Sequence, residues 1–465
     1  MLGLVGDVHP ELASRAIALA SMTMSARGAV TQHESRDEQW WVAITNERLS
    51  PSDSVASPIS FGAGPNDSLG SRVEVEDHAK VVSLHADALG RRMLFVTSLG
   101  TTALAFSSEL RPLVSLLKSL GVTLTLDLEA WRRYFSLSFM PAPRSPWREI
   151  RTVRAGTTLV WRANEGFTRE QIAFDIPVDS PNETSTTHDD EAANDLLRLL
   201  DEASERLASR QEPALLLSGG LDSAAVATSL ASVSPRATAL TLDFELESEA
   251  TLGSTIASHC GLRHERLFIS VNDAVAALER TMASLMWPVA DPVVVPFTIA
   301  AHYLAKQGIK QVWNGEGGDQ LFAGWATKPM LNWVRYAKPG DDPAEAYVHT
   351  FHKLADIERE ALGERFDTLL ASDDRVADDV RPYLTGPRAM RHTSFLHRLC
   401  EANLWLKGAG NILPRIDQTM ASAGLEAISP LLDEALVLRA FRLAPDQKQR
   451  GITEKWILRH GLRTR

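Results

Sequence analysis

The chain has 465 residues, of which 44% are hydrophobic and 23% charged, and a net charge of −11. That length exceeds one ordinary core and predicts two domains, and the composition is that of a soluble globular protein. The acidic balance argues against a nucleic-acid surface, and the two cysteines, Cys260 and Cys400, exclude a disulfide scaffold and a cysteine-based zinc site and fit a reducing compartment.

No apolar run reaches the ~18 residues of a membrane span. Asp7 and Glu11 interrupt the region where a secretory signal would be apolar, so a cytoplasmic location is expected. The sequon Asn182-Glu183-Thr184 is then a chance match. Residues 1–170 read as β-rich. Short apolar runs recur at Leu2–Val5, Trp40–Ile44, Val81–Leu84, Met93–Val96, Ala103–Phe106 and Thr158–Trp161, separated by Gly, Asp, Asn and Ser. Leu113–Leu117 and Leu128–Phe135 have helical spacing. Residues 171–195 are polar and read as a linker, with a helix from Glu191 through Leu207. From Glu212 the pattern alternates. Strands are expected at Ala214–Leu217, Ala237–Phe244, His264–Ile269 and Gln311–Asn314, and helices at Ser248–His259, Asn272–Leu285 and Pro296–Lys306. Such interleaving predicts an α/β domain over 196–465 with a doubly wound parallel sheet, whose ligands sit beyond the carboxyl ends of the strands.

Two glycine turns follow strands in that domain. The first is Leu217-Ser218-Gly219-Gly220-Leu221-Asp222-Ser223. Adjacent glycines let the backbone approach a ligand, and the free N–H groups of a helix start favour phosphate. Ser218 and Ser223 add hydroxyls. Asp222 would repel phosphate unless a hard cation intervenes, so it predicts Mg²⁺. The second turn is Asn314-Gly315-Glu316-Gly317-Gly318-Asp319. Asp222 and Asp319 are expected to hold Mg²⁺ on ATP phosphates, leaving Glu316 for acid–base or amine-positioning work.

The first turn resembles the pyrophosphate-binding loop of the ATP pyrophosphatase superfamily. Together, Ser-Gly-Gly-Leu-Asp-Ser and Gly-Glu-Gly-Gly-Asp are similar to the synthetase domain of asparagine synthetases and their relatives, the β-lactam synthetases and lasso-peptide macrocyclases. Pro288-Val289-Ala290-Asp291, Gly424-Leu425-Glu426, Pro430-Leu431-Leu432-Asp433, Lys448 and Thr453–Arg459 continue the resemblance. So do Asp87–Arg92, Leu104–Leu110, Pro141-Ala142-Pro143 and Ala155-Gly156 in the first 170 residues, which resemble the glutaminase-like domain of the same enzymes. The resemblance implies an N-terminal Ntn-type αββα sandwich followed by the ATP pyrophosphatase domain with added helices. It also implies chemistry in which a carboxylate attacks the ATP α-phosphate, pyrophosphate leaves, and an amine displaces AMP. Leu217, Ser218, Gly219, Gly220, Asp222 and Ser223 are then the nucleotide contacts. Lys455 is the cation for the charge that grows in each step, worth most in a dry site. Lys455→Ala is expected to abolish amide formation and spare the fold.

Departures from that family pattern narrow the reading. Leu2 stands where the glutaminase cysteine would be and has no lone pair to attack an amide, so that domain is expected to be inactive. Ile428 replaces the signature arginine, Glu316 is a tyrosine in the β-lactam enzymes, and the sequence ends six residues after Arg459. A specialised biosynthetic amide ligase or lasso-type macrocyclase is therefore expected, with ammonia-dependent asparagine synthesis as the alternative and a non-catalytic partner scaffold as the alternative of another class. Its partners would be a carboxylate, which includes peptides, and an amine, with a precursor peptide or protease beside it and neither nucleic acid nor membrane. His259, His264 and Glu249 read as surface or capping residues. Trp287, Trp313, Trp325, Trp333 and Trp405 read as core, and both cysteines as buried thiols.

Overall fold

The computed structural model describes residues 1–24, 30–34, 40–45, 49–50, 59–66, 69–76, 80–178, 188–245, 249–324, 327–351, 363 and 375–465. Trp325, the Asn182–Thr184 sequon, the middle of the expected linker and Ser248 lie outside them.

The first part holds β1 (Leu2–Gly6), α1 (Pro10–Ser21), β2 (Val30–Glu34), β3 (Trp40–Thr45), β4 (Leu49–Ser50), β5 (Ile59–Asn66), β6 (Leu69–Glu76), β7 (Val81–His85), β8 (Phe95–Leu99), β9 (Ala103–Ser107), α2 (Leu110–Ser119), α3 (Leu128–Leu137), β10 (Arg151–Thr152), β11 (Thr157–Arg162) and β12 (Gly166–Ile172). They form two six-stranded sheets, β10-β8-β9-β1-β3-β2 and β12-β11-β7-β6-β5-β4. Every strand pair in both is antiparallel. Side chains alternate faces along a strand. Val5, Val96, Leu104 and Phe106 therefore meet Val73, Val82, Leu84 and Trp161 between the sheets. Leu2, Leu4, Phe95 and Ala105 instead pack beneath Ala13, Ala16, Ile17 and Ala20 of α1 and Leu113, Leu116 and Leu117 of α2. Three of the four expected layers, helix–sheet–sheet, lie among the described residues. The run expected at Met93–Val96 begins its strand two residues later, at Phe95. The expected linker overlaps β12, an edge strand whose exposed Arg169, Glu170 and Gln171 disguised it.

The second part opens with α4 (Asp189–Leu207), which starts inside the expected linker. Next come β13 (Ala214–Leu216), α5 (Leu221–Val233), β14 (Thr238–Phe244), α6 (Ala250–Cys260), β15 (Arg263–Ile269), α7 (Val271–Ser284), α8 (Val294–Lys306), β16 (Gln311–Trp313) and α9 (Gly318–Leu321). A further strand, β17 (Glu426–Ile428), was not expected. The sheet runs β15-β14-β13-β16-β17, and all its pairs are parallel. Leu215 and Leu217 point into a core with Leu196, Ala225 and Val226. Ala214 and Leu216 point the other way, against Ala300, Leu304, Ile416 and Met420. Helices thus cover both faces, as the apolar β13 run requires. Further helices, Lys328–Tyr336, Pro343–Phe351 and Phe395–Ala402, build a separate cluster around Tyr347 and Leu399. No helix among the described residues is long and apolar enough to cross a membrane.

The two parts meet at the turn Asp87–Arg92. The buried Asp87 carboxylate accepts from Leu89 N at 3.0 Å and Arg91 N at 2.8 Å. Gly90 has φ +83°, and a Cβ there would lie 2.6 Å from Ala409 Cβ. Arg92 pairs with Asp417 and, at 3.4 Å, with Glu426.

Candidate active site

β13 and β16 are neighbours at the centre of the sheet, where the strand order reverses. Crevices beyond the carboxyl ends of strands at such a point bind ligands. The two glycine turns leave these two strands side by side. A Cβ at Gly315 would stand 2.6 Å from Ser223 N, and one at Gly318 would stand 2.2 Å from Asp222 Cγ. A Cβ at Gly324 would overlap the Asp319 carboxylate. Small residues are therefore what let the turns touch. Gly219 and Gly317 have φ of +73° and +109°, which only glycine adopts cheaply.

The first turn is braced from within. Ser223 Oγ donates to Gly220 O at 3.0 Å and accepts from Ser218 N at 3.3 Å, and Gly220 N donates to Ser218 Oγ at 3.3 Å. Ser218 and Gly220 are exposed at the mouth. Leu217, expected as a nucleotide contact, lies at the base of the turn. Its side chain is in the core, its N–H donates to Leu240 O at 2.9 Å, and its carbonyl accepts from Thr241 Oγ1 at 2.8 Å. It anchors the turn and offers a ligand neither side chain nor N–H.

Lys455 joins the turns. Its Nζ lies 2.5 Å from Asp222 Oδ2 and 2.7 Å from Asp319 Oδ1. Burial works against its charge, but the two carboxylates outweigh burial and hold its pKa above the ordinary lysine value. Burial pushes the Asp222 carboxyl up to about 6 against the pull of Lys455, with Asp319 and Glu316 adding to the rise. The Lys455 backbone is left-handed, at φ 53° and ψ 37°, and its N–H donates to Phe322 O at 3.2 Å. A non-glycine residue keeps that conformation only where its surroundings over-determine it.

Glu316 meets a residue that sequence reasoning missed. Arg415, on the helix Leu413–Ala421, donates from Nη2 to Glu316 Oε1 at 2.7 Å and from Nη1 to Asp291 Oδ2 at 2.5 Å. Nothing marks it in sequence, because it lies about 100 residues beyond Glu316 in a segment that reads as core helix.

Four carboxylates, Asp222, Asp319, Glu316 and Asp291, thus share two cations, Lys455 and Arg415. The negative excess would repel a polyphosphate. Asp222 Oδ1 is buried and has no hydrogen-bond partner among the described residues. No group of three or more His, Cys, Asp or Glu among the described residues could hold a metal by itself. This donor set fits Mg²⁺ held by Asp222 and Asp319 with its other ligands from phosphate and water. Gly318→Ala should displace Asp222 and weaken Mg²⁺·ATP binding by roughly tenfold or more, about 1.4 kcal/mol, in calorimetry. Unchanged affinity would place Asp222 outside the metal site.

The remaining expectations divide. His264 Nε2 sits 2.9 Å from Thr241 Oγ1, and exposed His259 contacts Arg465 O at 2.8 Å. Glu249 caps α6. Trp287 and Trp313 are core; Trp333 and Trp405 are half-buried. Cys400 is buried, but Cys260 is only half-buried, a correction that follows from its place at the exposed end of α6. Leu2 is fully buried in β1, and Ile428 is buried in β17, paired with Trp313.

Comparison with known proteins matches the chain to a family. A family model described as asparagine synthase matches residues 195–465, and one described as a glutamine amidotransferase domain matches residues 74–171. A Bacillus subtilis (strain 168) protein named asparagine synthetase (glutamine-hydrolyzing) 1 is 21% identical over 408 residues, 80% of this chain and 61% of that protein. A Mycobacterium tuberculosis (strain H37Rv) protein, provisionally described as a glutamine-hydrolyzing asparagine synthetase, is 26% identical over 402 residues, 81% of this chain and 61% of that protein. The chain therefore spans less than two thirds of the length of these relatives. The asparagine synthase match takes in more than half of the chain, including both glycine turns and Lys455, and the chain belongs to the asparagine synthase family.

Proposed function

We propose that this protein is an ATP- and Mg²⁺-dependent amide ligase that works through an acyl-adenylate, and that it is a specialised biosynthetic ligase or peptide macrocyclase. The observation that carries the reading is Lys455 set between Asp222 and Asp319 where the two glycine turns meet. Ser218, Gly219, Gly220 and Ser223 cradle the phosphates, and Asp222 and Asp319 hold Mg²⁺, which neutralises them. Lys455 stabilises charge on the α-phosphate and then on the tetrahedral oxyanion. Glu316 receives the amine. Residues 1–170 form a glutaminase-like domain, 171–195 a linker and 196–465 the ligase, in the cytoplasm.

Two buried aliphatic side chains favour the specialised version. Leu2 offers no nucleophile, and neither cysteine lies in the antiparallel sheets, so ammonia release from glutamine should stay at background. Measurable glutaminase activity of the purified protein overturns that reading. Ile428 offers a free amino acid no charge. Exchange of labelled pyrophosphate into ATP, run across candidate carboxylates, tests the rest. Exchange with peptide carboxylates supports the macrocyclase. Exchange with L-aspartate supports ammonia-dependent asparagine synthesis. Absence of Mg²⁺·ATP binding in calorimetry would leave a partner scaffold. A precursor-peptide or protease gene beside this one would favour the macrocyclase.

A further inference from the structure

Resting on the ligase reading, we infer that Arg415 is the positioning residue of the amine-transfer half-reaction. It holds Glu316 Oε1 so that Oε2 alone meets the incoming amine. The two cations divide the site. Lys455 serves Asp222 and Asp319 at the phosphate-binding turn, and Arg415 serves Glu316 and Asp291. The Arg415 side chain is 13% exposed, and its guanidinium lies 5.8 Å from the Phe297 ring centroid. Among the described residues its buried Nε has no hydrogen-bond partner, so the two carboxylates set its orientation.

Each acidic residue is tied locally, Asp291 through its carboxylate and Glu316 through its backbone N–H. Asp291 Oδ1 accepts from Val293 N at 3.2 Å just before α8, and Glu316 N donates to Asn314 Oδ1 at 3.0 Å just after β16. The guanidinium fork spans these two elements from a third, the helix Leu413–Ala421. A point-charge lysine cannot make both contacts. Glu316 remains 22% exposed, and no hydrogen bond among the described residues engages its Oε2. As the C–N bond forms, the C–O bond to AMP breaks and AMP leaves with the electron pair. The proton from the amine passes to Oε2. A freely rotating glutamate would meet that proton seldom, and fixing one oxygen removes the search.

The test compares full-length wild type, Arg415→Met and Arg415→Lys. Both half-reactions are read with L-aspartate plus ammonium chloride and with the peptides of the exchange panel. The expected result for Arg415→Met is pyrophosphate exchange within ~3-fold of wild type. Amide formation should fall roughly 10²-fold. Arg415→Lys should recover part of the loss. A merely structural role lowers both half-reactions together, and that outcome, or an undiminished amide rate, overturns the inference. Should Arg415→Met fail to fold, Arg415→Lys alone reads the split. A wild type that shows no exchange with any carboxylate overturns the ligase reading itself, and with it the role given to Arg415.

Discussion

Lys455→Ala should lose amide formation by roughly 10²–10³, about 2.7–4 kcal/mol, the worth of one preorganised charge at a developing oxyanion. The same substitution should also cost stability, contrary to the expectation that the fold is spared. Lys455 is almost fully buried, and its removal leaves Asp222 and Asp319 facing each other, one of them 17% exposed and the other 38%. Breaking a buried pair costs about 3–5 kcal/mol, and the partial exposure of Asp319 places this one at the lower end. A loss of ~3 kcal/mol corresponds to roughly 6–12 °C in Tm for a domain of this size. Alanine gains nothing from the backbone, because position 455 stays left-handed. Lys455→Gly should therefore melt higher than Lys455→Ala by about 1 kcal/mol, since only glycine adopts that conformation without strain. Excess Mg²⁺ should restore much of the Tm in both variants by replacing the missing cation between the carboxylates. Calorimetric melts in EDTA and in Mg²⁺ check this, alongside product assays. Wild-type product rates remove Lys455 from the chemistry, and a Tm insensitive to Mg²⁺ removes the metal from Asp222 and Asp319.

The two glycine turns were legible because glycine and carboxylate carry their meaning locally. Gly219, Gly317 and Gly318 mark backbone where a side chain is strained or would clash, and the strand before the first turn is an uninterrupted apolar run. The parallel sheet followed from alternating periods of two and 3.6. Elements whose periods are masked were missed. In α1 the buried stripe is Ala13, Ala16, Ile17 and Ala20, which alanine makes faint. In β12 most side chains are exposed, so no alternation exists to read. β17 is three residues long, and its Glu426 faces an ion pair across the domain boundary. Arg415 and the ion pairs of Arg92, a residue read only as part of the Asp87–Arg92 turn, were missed for a different reason. Each gains its meaning from carboxylates that chain topology brings close, and a lone arginine in a helix or turn has no spacing that announces its partner.

Arg92 carries the second large effect. It leaves the first part of the chain on the Asp87–Arg92 turn and ends between Asp417 and Glu426 of the second. Its side chain is 8% exposed, and its carbonyl accepts from Ser71 Oγ at 2.8 Å, so both ends of the residue are committed. Glu426 Oε2 also accepts from Gln311 Nε2 at 3.3 Å, which ties the contact to the start of β16. Arg92→Met keeps the volume and removes the charge, leaving two carboxylates in a low-dielectric boundary. A loss of about 3–5 kcal/mol is expected. The apolar cluster that Phe95, Ile17 and Leu110 share with Trp287, Val294 and Ala277 still couples the two parts, so one cooperative melt should move to lower temperature in calorimetry. Asp417 lies on the same helix as Arg415, two residues on, and a helix released at Asp417 carries Arg415 with it. Arg92→Met should therefore depress amide formation more than pyrophosphate exchange, although Arg92 makes no contact with Glu316. The first part of the chain would then be required for ligation whatever its own chemistry, because it clamps the helix that aims Glu316. A single melt close to that of wild type, with both half-reactions intact, would show that the ligase stands without this clamp.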